Sequence, residues 1–175
     1  MSVVRQLGKP SYFITMTCNP KWKEIVDNLP NGLKAQDCPD LVARVFNIKL
    51  KSLLHDLKNK HVLGKPIGRT HVIEFQKRGL PHTHILLIME DKDRPKRPEH
   101  YDCAVTAEFS EDKQVREVQA EFMYHRCNDH CKNDTGRGGE KCSKGYPKSY
   151  REHTSDGNDS YPEYRRRPPM EDDTI

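Results

Sequence analysis

The sequence predicts an α+β fold, an antiparallel sheet flanked by helices and followed by an irregular Cys/His-containing C-terminal extension. Three observations predict it. Two apolar segments with strand composition, THVIEF (Thr70 to Phe75) and HTHILLIM (His82 to Met89), flank the turn-like QKRGLP, which is the pattern of an antiparallel hairpin. Between Leu41 and Leu57, apolar residues recur at spacings of three and four, which describes one buried helix face. Periodic apolar signal fills residues 10 to 90 and is sparse from 91 to 175.

In chain order, Ser11 to Thr17 (SYFITMT) has the β-branched and aromatic content of a strand. In Cys18-Asn19-Pro20, Asn19 can cap a helix and Pro20 suits its first position. That helix is expected to run through Trp22, Ile25 and Val26 until Asn31-Gly32 ends it. A longer helix is signalled by Asp37-Cys38-Pro39-Asp40, with acidic residues at the positive end of the dipole. Leu41, Val45, Phe46, Leu50, Leu53, Leu54 and Leu57 form its inner face, and Lys49, Lys51, Lys58 and Lys60 its solvated side.

Gly64-Lys65-Pro66 then leads into a hairpin expected over residues 68 to 90. DKDRPKRPEH reads as a surface loop, and Glu111 to His125 as a weaker helix through Val115, Val118 and Phe122. The expected organisation is a core over residues 1 to 125 and an extension over 126 to 175.

The chain has 175 residues, enough for one domain with an appended segment. With 34% hydrophobic and 32% charged residues, its core is small for its length. A net charge of +4 and pI near 8.7 permit a polyanionic partner without requiring one. No apolar run reaches about 18 residues and no N-terminal signal pattern is present, so a membrane-spanning or secreted chain is not expected. Six cysteines, three of them clustered, fit metal ligation better than a disulfide framework.

The chemistry-bearing residues centre on His82-Thr83-His84. In a strand both imidazoles point to one face, and the hairpin sets Glu74 beside them. Two imidazoles and one carboxylate leave coordination positions open for a divalent cation; a buried, hydrogen-bonded or merely solvent-facing pair of histidines is the alternative. Cys127, Cys131 and Cys142, with His125 and His130 close by, can close a tetrahedral Zn²⁺ site, the fourth ligand being open between the two histidines; free thiols or a redox pair are the alternatives. Cys18, Cys38 and Cys103 read as small buried side chains. Lys77 and Arg78, in the hairpin turn, read as solvated residues.

Some enzyme classes fall away on the same residues. A histidine-triad hydrolase requires a third alternating His where Leu86 stands, and no second His-x-Thr or His-x-Ser element supports a two-histidine phosphodiesterase. GRGGEKCS, from Gly136, lacks the spacing of a phosphate-cradling ATPase loop.

Five ordered blocks carry a family resemblance: PSYFITMTCNPKW (Pro10 to Trp22), CPDLVARVFNIKLKSLL (Cys38 to Leu54), VIEFQKRGLPHTHILL (Val72 to Leu87), EKCSKGYPK (Glu140 to Lys148) and YPEYRRR (Tyr161 to Arg167). Together they resemble the Helitron-like N-terminal domain, the replication-initiator part of Helitron transposases, which are HUH endonucleases fused to a helicase. The resemblance implies a ferredoxin-like or RRM-like core with the HUH histidines on a central strand. It also implies that His82, His84 and Glu74 hold Mg²⁺ or Mn²⁺, that the substrate is single-stranded DNA, and that the intact protein works in a eukaryotic nucleus. For Lys77 and Arg78 it implies the alternative that they reach the DNA backbone.

In that family a tyrosine attacks the scissile phosphate, from a helix downstream of the YRRR block. The chain reaches Ile175 without such a helix, so a fragment or decayed copy without its own nucleophile is expected, with a non-catalytic DNA-binding module as the alternative. Tyr146 with Tyr150, and Tyr161 with Tyr164, have suggestive spacings, but Pro147 and Pro162 break any helix that would present either pair.

Overall fold

A computed structural model describes residues 2–76, 79–127, 131–134, 140–156 and 162–168. The architecture is α+β, and the chain divides into two units, Met1–Arg94 and Pro95–Ile175; the organisation expected from the sequence has its boundary at 125/126. Among the described residues, no helix is long and apolar enough to cross a membrane.

The first unit contains helix α1 (Ser2–Leu7), strand β1 (Tyr12–Thr17), the single turn α2 (Lys23–Val26), the long helix α3 (Pro39–Asn59), and strands β2 (Pro66–Phe75) and β3 (Pro81–Met89). Its sheet is antiparallel in the order β1-β3-β2, so β3 is central. β3 alternates strictly over its first half: Pro81, Thr83, Ile85 and Leu87 are buried, while His82, His84 and Leu86 are half-buried. One face packs on α3 and the other carries the histidines. The core joins Val42, Val45, Phe46, Leu50 and Leu57 of α3 to Ile85, Leu87 and Met89 of β3 and to Ile25. Each such side chain contributes about 1.5–3 kcal/mol of burial.

The hairpin between β2 and β3 closes through Gln76 N donating to Leu80 O (3.0 Å) and Gly79 N to Gln76 O (2.7 Å). Gly79 has φ +73°, a backbone conformation that side chains resist.

Two expectations in this unit need correction. The helix expected from Pro20 to Asn31 is only α2, four residues long. Asn19 does not cap it: its side-chain Oδ1 accepts from Lys21 N at 2.9 Å, a local turn that spends the carboxamide before a helix begins. Helix α1, which carries no cap signal in SVVRQL, is additional.

The second unit contains helices α4 (Pro98–Asp102) and α5 (Lys113–Phe122) and two short strand pairs, β4 (Lys132–Asp134) with β5 (Glu140–Cys142) and β6 (Ser155–Asp156) with β7 (Pro162–Glu163). The stretch expected to be a surface loop thus includes a helix, started by Pro98 in its first turn. α5 is capped by Asp112, whose Oδ1 accepts from Gln114 N (2.9 Å) and Val115 N (3.0 Å). Its stripe of Val115, Val118 and Phe122 is exposed rather than buried.

Polar contacts take the place of a core in this unit. Arg167 grips Glu108 with two guanidinium nitrogens, at 2.9 and 2.8 Å, and with its backbone N–H at 2.8 Å. Buried Thr154 donates to Asp102 and accepts from Arg165 N.

Candidate metal centres

The first candidate lies on the sheet face turned away from α3. Cross-strand register sets Glu74 and Thr17 directly opposite His82, and Val72 and Thr15 opposite His84. Alternation then puts Phe13, Thr15 and Thr17 of β1, His82, His84 and Leu86 of β3, and Val72 and Glu74 of β2 on one face. The three residues singled out in the sequence, Glu74, His82 and His84, therefore share that face, although among the described residues their ligand atoms do not close into one group as those of the Cys/His cluster do.

His84 Nε2 stands 3.6 Å from Glu74 Oε2, too long for a hydrogen bond. Ligands each about 2.1 Å from a shared ion sit roughly 3.0–4.2 Å apart, depending on the angle between them, so the gap suits a cation. The His82 and His84 rings meet edge to face with centroids 4.6 Å apart. His82 Nδ1 is hydrogen-bonded to Thr17 Oγ1 at 2.6 Å. With Nδ1 so engaged, Nε2 of His82 is the nitrogen available as a ligand, and the ring is held in one orientation.

His84 lacks such an outer partner, its Nδ1 being buried without a hydrogen bond among the described residues. Stacking orients it instead: Phe13 lies over it at 5.3 Å and 14° between planes. The Glu74 carboxylate is 60% exposed and the His84 side chain 34%, so the cluster opens to solvent, as a site that must admit a substrate oxygen does.

Thr17 and Phe13, which touch the two histidines, are residues of this candidate site that sequence reasoning missed. The signal was present in the alternation Phe13-x-Thr15-x-Thr17, but strand pairing 65 residues along the chain decides which ring each one meets. Lys77 and Arg78 lie outside the described residues.

The second candidate belongs to the other unit. Nε2 of His125 is 3.3 Å from Cys127 Sγ, 3.7 Å from Cys131 Sγ and 3.3 Å from Cys142 Sγ. All four ligand atoms lie within 4.8 Å of one another, and no other group of three or more His, Cys, Asp or Glu among the described residues is drawn together so tightly. A tetrahedral zinc with Zn–S near 2.3 Å and Zn–N near 2.05 Å has N···S edges of about 3.6 Å, so the donor set has the size zinc needs.

The sequence assembles this set through a hairpin. Cys131 directly precedes β4, and Lys132 pairs with Cys142 at the end of β5. His125 fills the fourth place, and its ring is stacked on Tyr146 with centroids 4.2 Å apart. His130, the alternative fourth ligand, lies outside the described residues.

Three thiols so close cannot all ionise without a cation among them. The Cys142 thiol is pushed down to about 6, first by the backbone N–H of Tyr146. The Cys127 thiol is pushed up to about 11, first by desolvation and then by the Cys142 and Cys131 thiols. A divalent cation resolves that conflict by taking all three as thiolates, and this His/Cys cluster can bind a metal such as Zn²⁺.

Neither suggestive tyrosine pair is helical where it is described. Tyr146 and Tyr150 sit in an irregular stretch, and Tyr164 lies just after β7. Tyr161 is outside the described residues. The first unit's tyrosine, Tyr12, packs against the core on the opposite side of β1 from the histidines.

Residues 1–87 match the family described as Helitron helicase-like domain at N-terminus. The matched span holds Glu74, His82, His84, Thr17 and Phe13, and excludes the Cys/His cluster. No curated protein matches the chain.

Proposed function

We propose, from the premise that residues 1–87 are a Helitron-like N-terminal domain, that the chain is the metal-binding portion of a Helitron-type HUH nuclease acting on single-stranded DNA. The observation that carries this reading is the placement of Glu74, His82 and His84 together on the open face of the central strand. Glu74 Oε2, His82 Nε2 and His84 Nε2 are the atoms that would hold Mg²⁺ or Mn²⁺. The ion's chemistry there is to neutralise charge building on a phosphate oxygen during displacement. Thr17 holds the His82 ring by its Nδ1, leaving Nε2 for the ion, Phe13 fixes the plane of His84, and the exposed side of Glu74 leaves room for the DNA backbone.

The attacking tyrosine comes from a segment other than the first unit, whose Tyr12 faces the core. The fused helicase and the nuclear setting of Helitron transposases are the context this reading assigns.

The test is a single-stranded oligonucleotide incubated with the chain and Mn²⁺, scored for binding and for covalent adduct. A gain in binding on adding Mn²⁺, absent in His82→Ala, and no adduct are expected. An adduct lost in Tyr146→Phe or Tyr150→Phe would place the nucleophile within this chain and overturn that part of the reading. Mn²⁺ affinity unchanged by His82→Ala would favour a non-catalytic DNA-binding module instead.

A further inference from the structure

The chain's charge is unevenly distributed. Residues 125–151 contain seven Lys or Arg against three Asp or Glu, an excess of four. That equals the net charge of the whole chain, +4, and the remaining 148 residues balance at 23 against 23. A zinc ion with three thiolates adds one negative charge, so the segment stays strongly cationic when loaded.

The same segment keeps two aromatic rings in solvent, Tyr146 at 40% and Tyr150 at 57% exposure. Both are held in place. Tyr146 stacks on the candidate ligand His125 and has Lys148 Nζ 5.4 Å from its centroid. Tyr150 has the Arg166 guanidinium at 5.5 Å. Arg166 Nη1 also donates to the Lys148 carbonyl at 2.6 Å, and Arg151 and Arg166 exchange backbone hydrogen bonds of 2.9 and 3.0 Å. Each exposed ring is thus paired with a cation, and the two pairs are tied to each other and, through His125, to the Cys/His cluster.

We infer that the Tyr146–Arg151 stretch, with Arg166 and anchored on His125, forms a second binding site for a single-stranded polynucleotide, distinct in its residues from the sheet histidines. Tyr150 and Tyr146 stack on bases, while Lys148 and Arg166 turn from the ring faces to the phosphates. The cationic excess selects a polyanion. Exposed rings select one whose bases are unpaired, because a duplex keeps its base faces inside the stack. Pre-fixing the rings lowers the ordering cost of binding. Deoxyribose and ribose strands share this chemistry, so oligo-dT and oligo-rU both serve as probes.

The test uses the full chain with zinc bound and no other divalent ion, titrated against a fluorescent 20-nucleotide oligo-dT or oligo-rU by anisotropy. Tyr150→Ala is expected to weaken binding about tenfold, while Tyr150→Phe, which keeps the ring, binds like the native chain. Lys148→Gln is expected to weaken binding and reduce the salt dependence by about one phosphate contact. Zinc content of one per chain in each variant shows that the cluster is intact. The inference is overturned if Tyr150→Ala and Lys148→Gln, zinc retained, bind within twofold of the native chain, or if a duplex of equal length binds as tightly as the single strand. The His82→Ala/His84→Ala chain should retain this binding; its loss there would move the site to the sheet, overturning this inference while sparing the proposed function.

Discussion

Replacing Thr17 by valine removes one oxygen and keeps the β-branched shape that suits the end of β1. That oxygen lies 2.6 Å from Nδ1 of His82 and is the ring's hydrogen-bond partner. Without it the imidazole loses the contact that anchors Nδ1 and is free to rotate away from the orientation in which Nε2 faces the ion. Loss of such an outer partner weakens a metal site 10- to 100-fold, about 1.4–2.8 kcal/mol. The fold should barely register the change, since Thr17 is exposed and a single hydrogen bond of this kind is worth about 1 kcal/mol. Mn²⁺ titration followed by electron paramagnetic resonance, with a thermal melt of the same sample, separates the two effects. Thr17→Ser should restore the native affinity. Mn²⁺ affinity within twofold of native in Thr17→Val would refute the assignment of Thr17 as the residue that positions His82.

Further outcomes follow from other parts of the chain. Gly64 has φ +96°, and a Cβ there would stand 2.7 Å from Asp93 Cβ, so Gly64→Ala should destabilise the first unit by at least about 1–3 kcal/mol in denaturant unfolding. Arg167 holds the Glu108 carboxyl down from its ordinary 4.5 to about 2. The folded value is the lower one, so the pair's stabilisation is complete above about 4.5 and is lost as pH falls toward 2. Melting temperature against pH should show that acid limb, and Glu108→Gln should flatten it. A chelator of high zinc affinity should release one zinc per chain and expose the second unit to proteolysis, whereas Cys131→Ser should be zinc-free and protease-sensitive from the outset.

The parts of the fold legible in the sequence are those where local pattern and burial agree. The three- and four-residue spacing from Leu41 to Leu57 becomes α3, and period-two alternation around His82 becomes β3, because each is one continuous face against one core. The Glu74–His82 neighbourhood was legible for the same reason, a short turn fixing the hairpin register. Where short-range hydrogen bonds compete, the pattern misleads. Asn19 has the composition of a helix cap but makes a turn with Lys21, and Val115, Val118 and Phe122 have the spacing of a buried face but remain exposed. Thr17 and Phe13 stayed hidden because their partners are set by pairing between distant strands. His125 emerged as the fourth member of the Cys/His cluster only when the β4–β5 hairpin brought Cys131 and Cys142 together around it.

The central claim is that the open face of the sheet holds a divalent cation. Crystals soaked in Mn²⁺ and measured at a wavelength where manganese scatters anomalously test it most directly. A peak about 2.1 Å from Glu74 Oε2, His82 Nε2 and His84 Nε2, absent from crystals of His84→Ala, is the predicted result. Anomalous density confined to the Cys/His cluster, with none between β2 and β3, would contradict it.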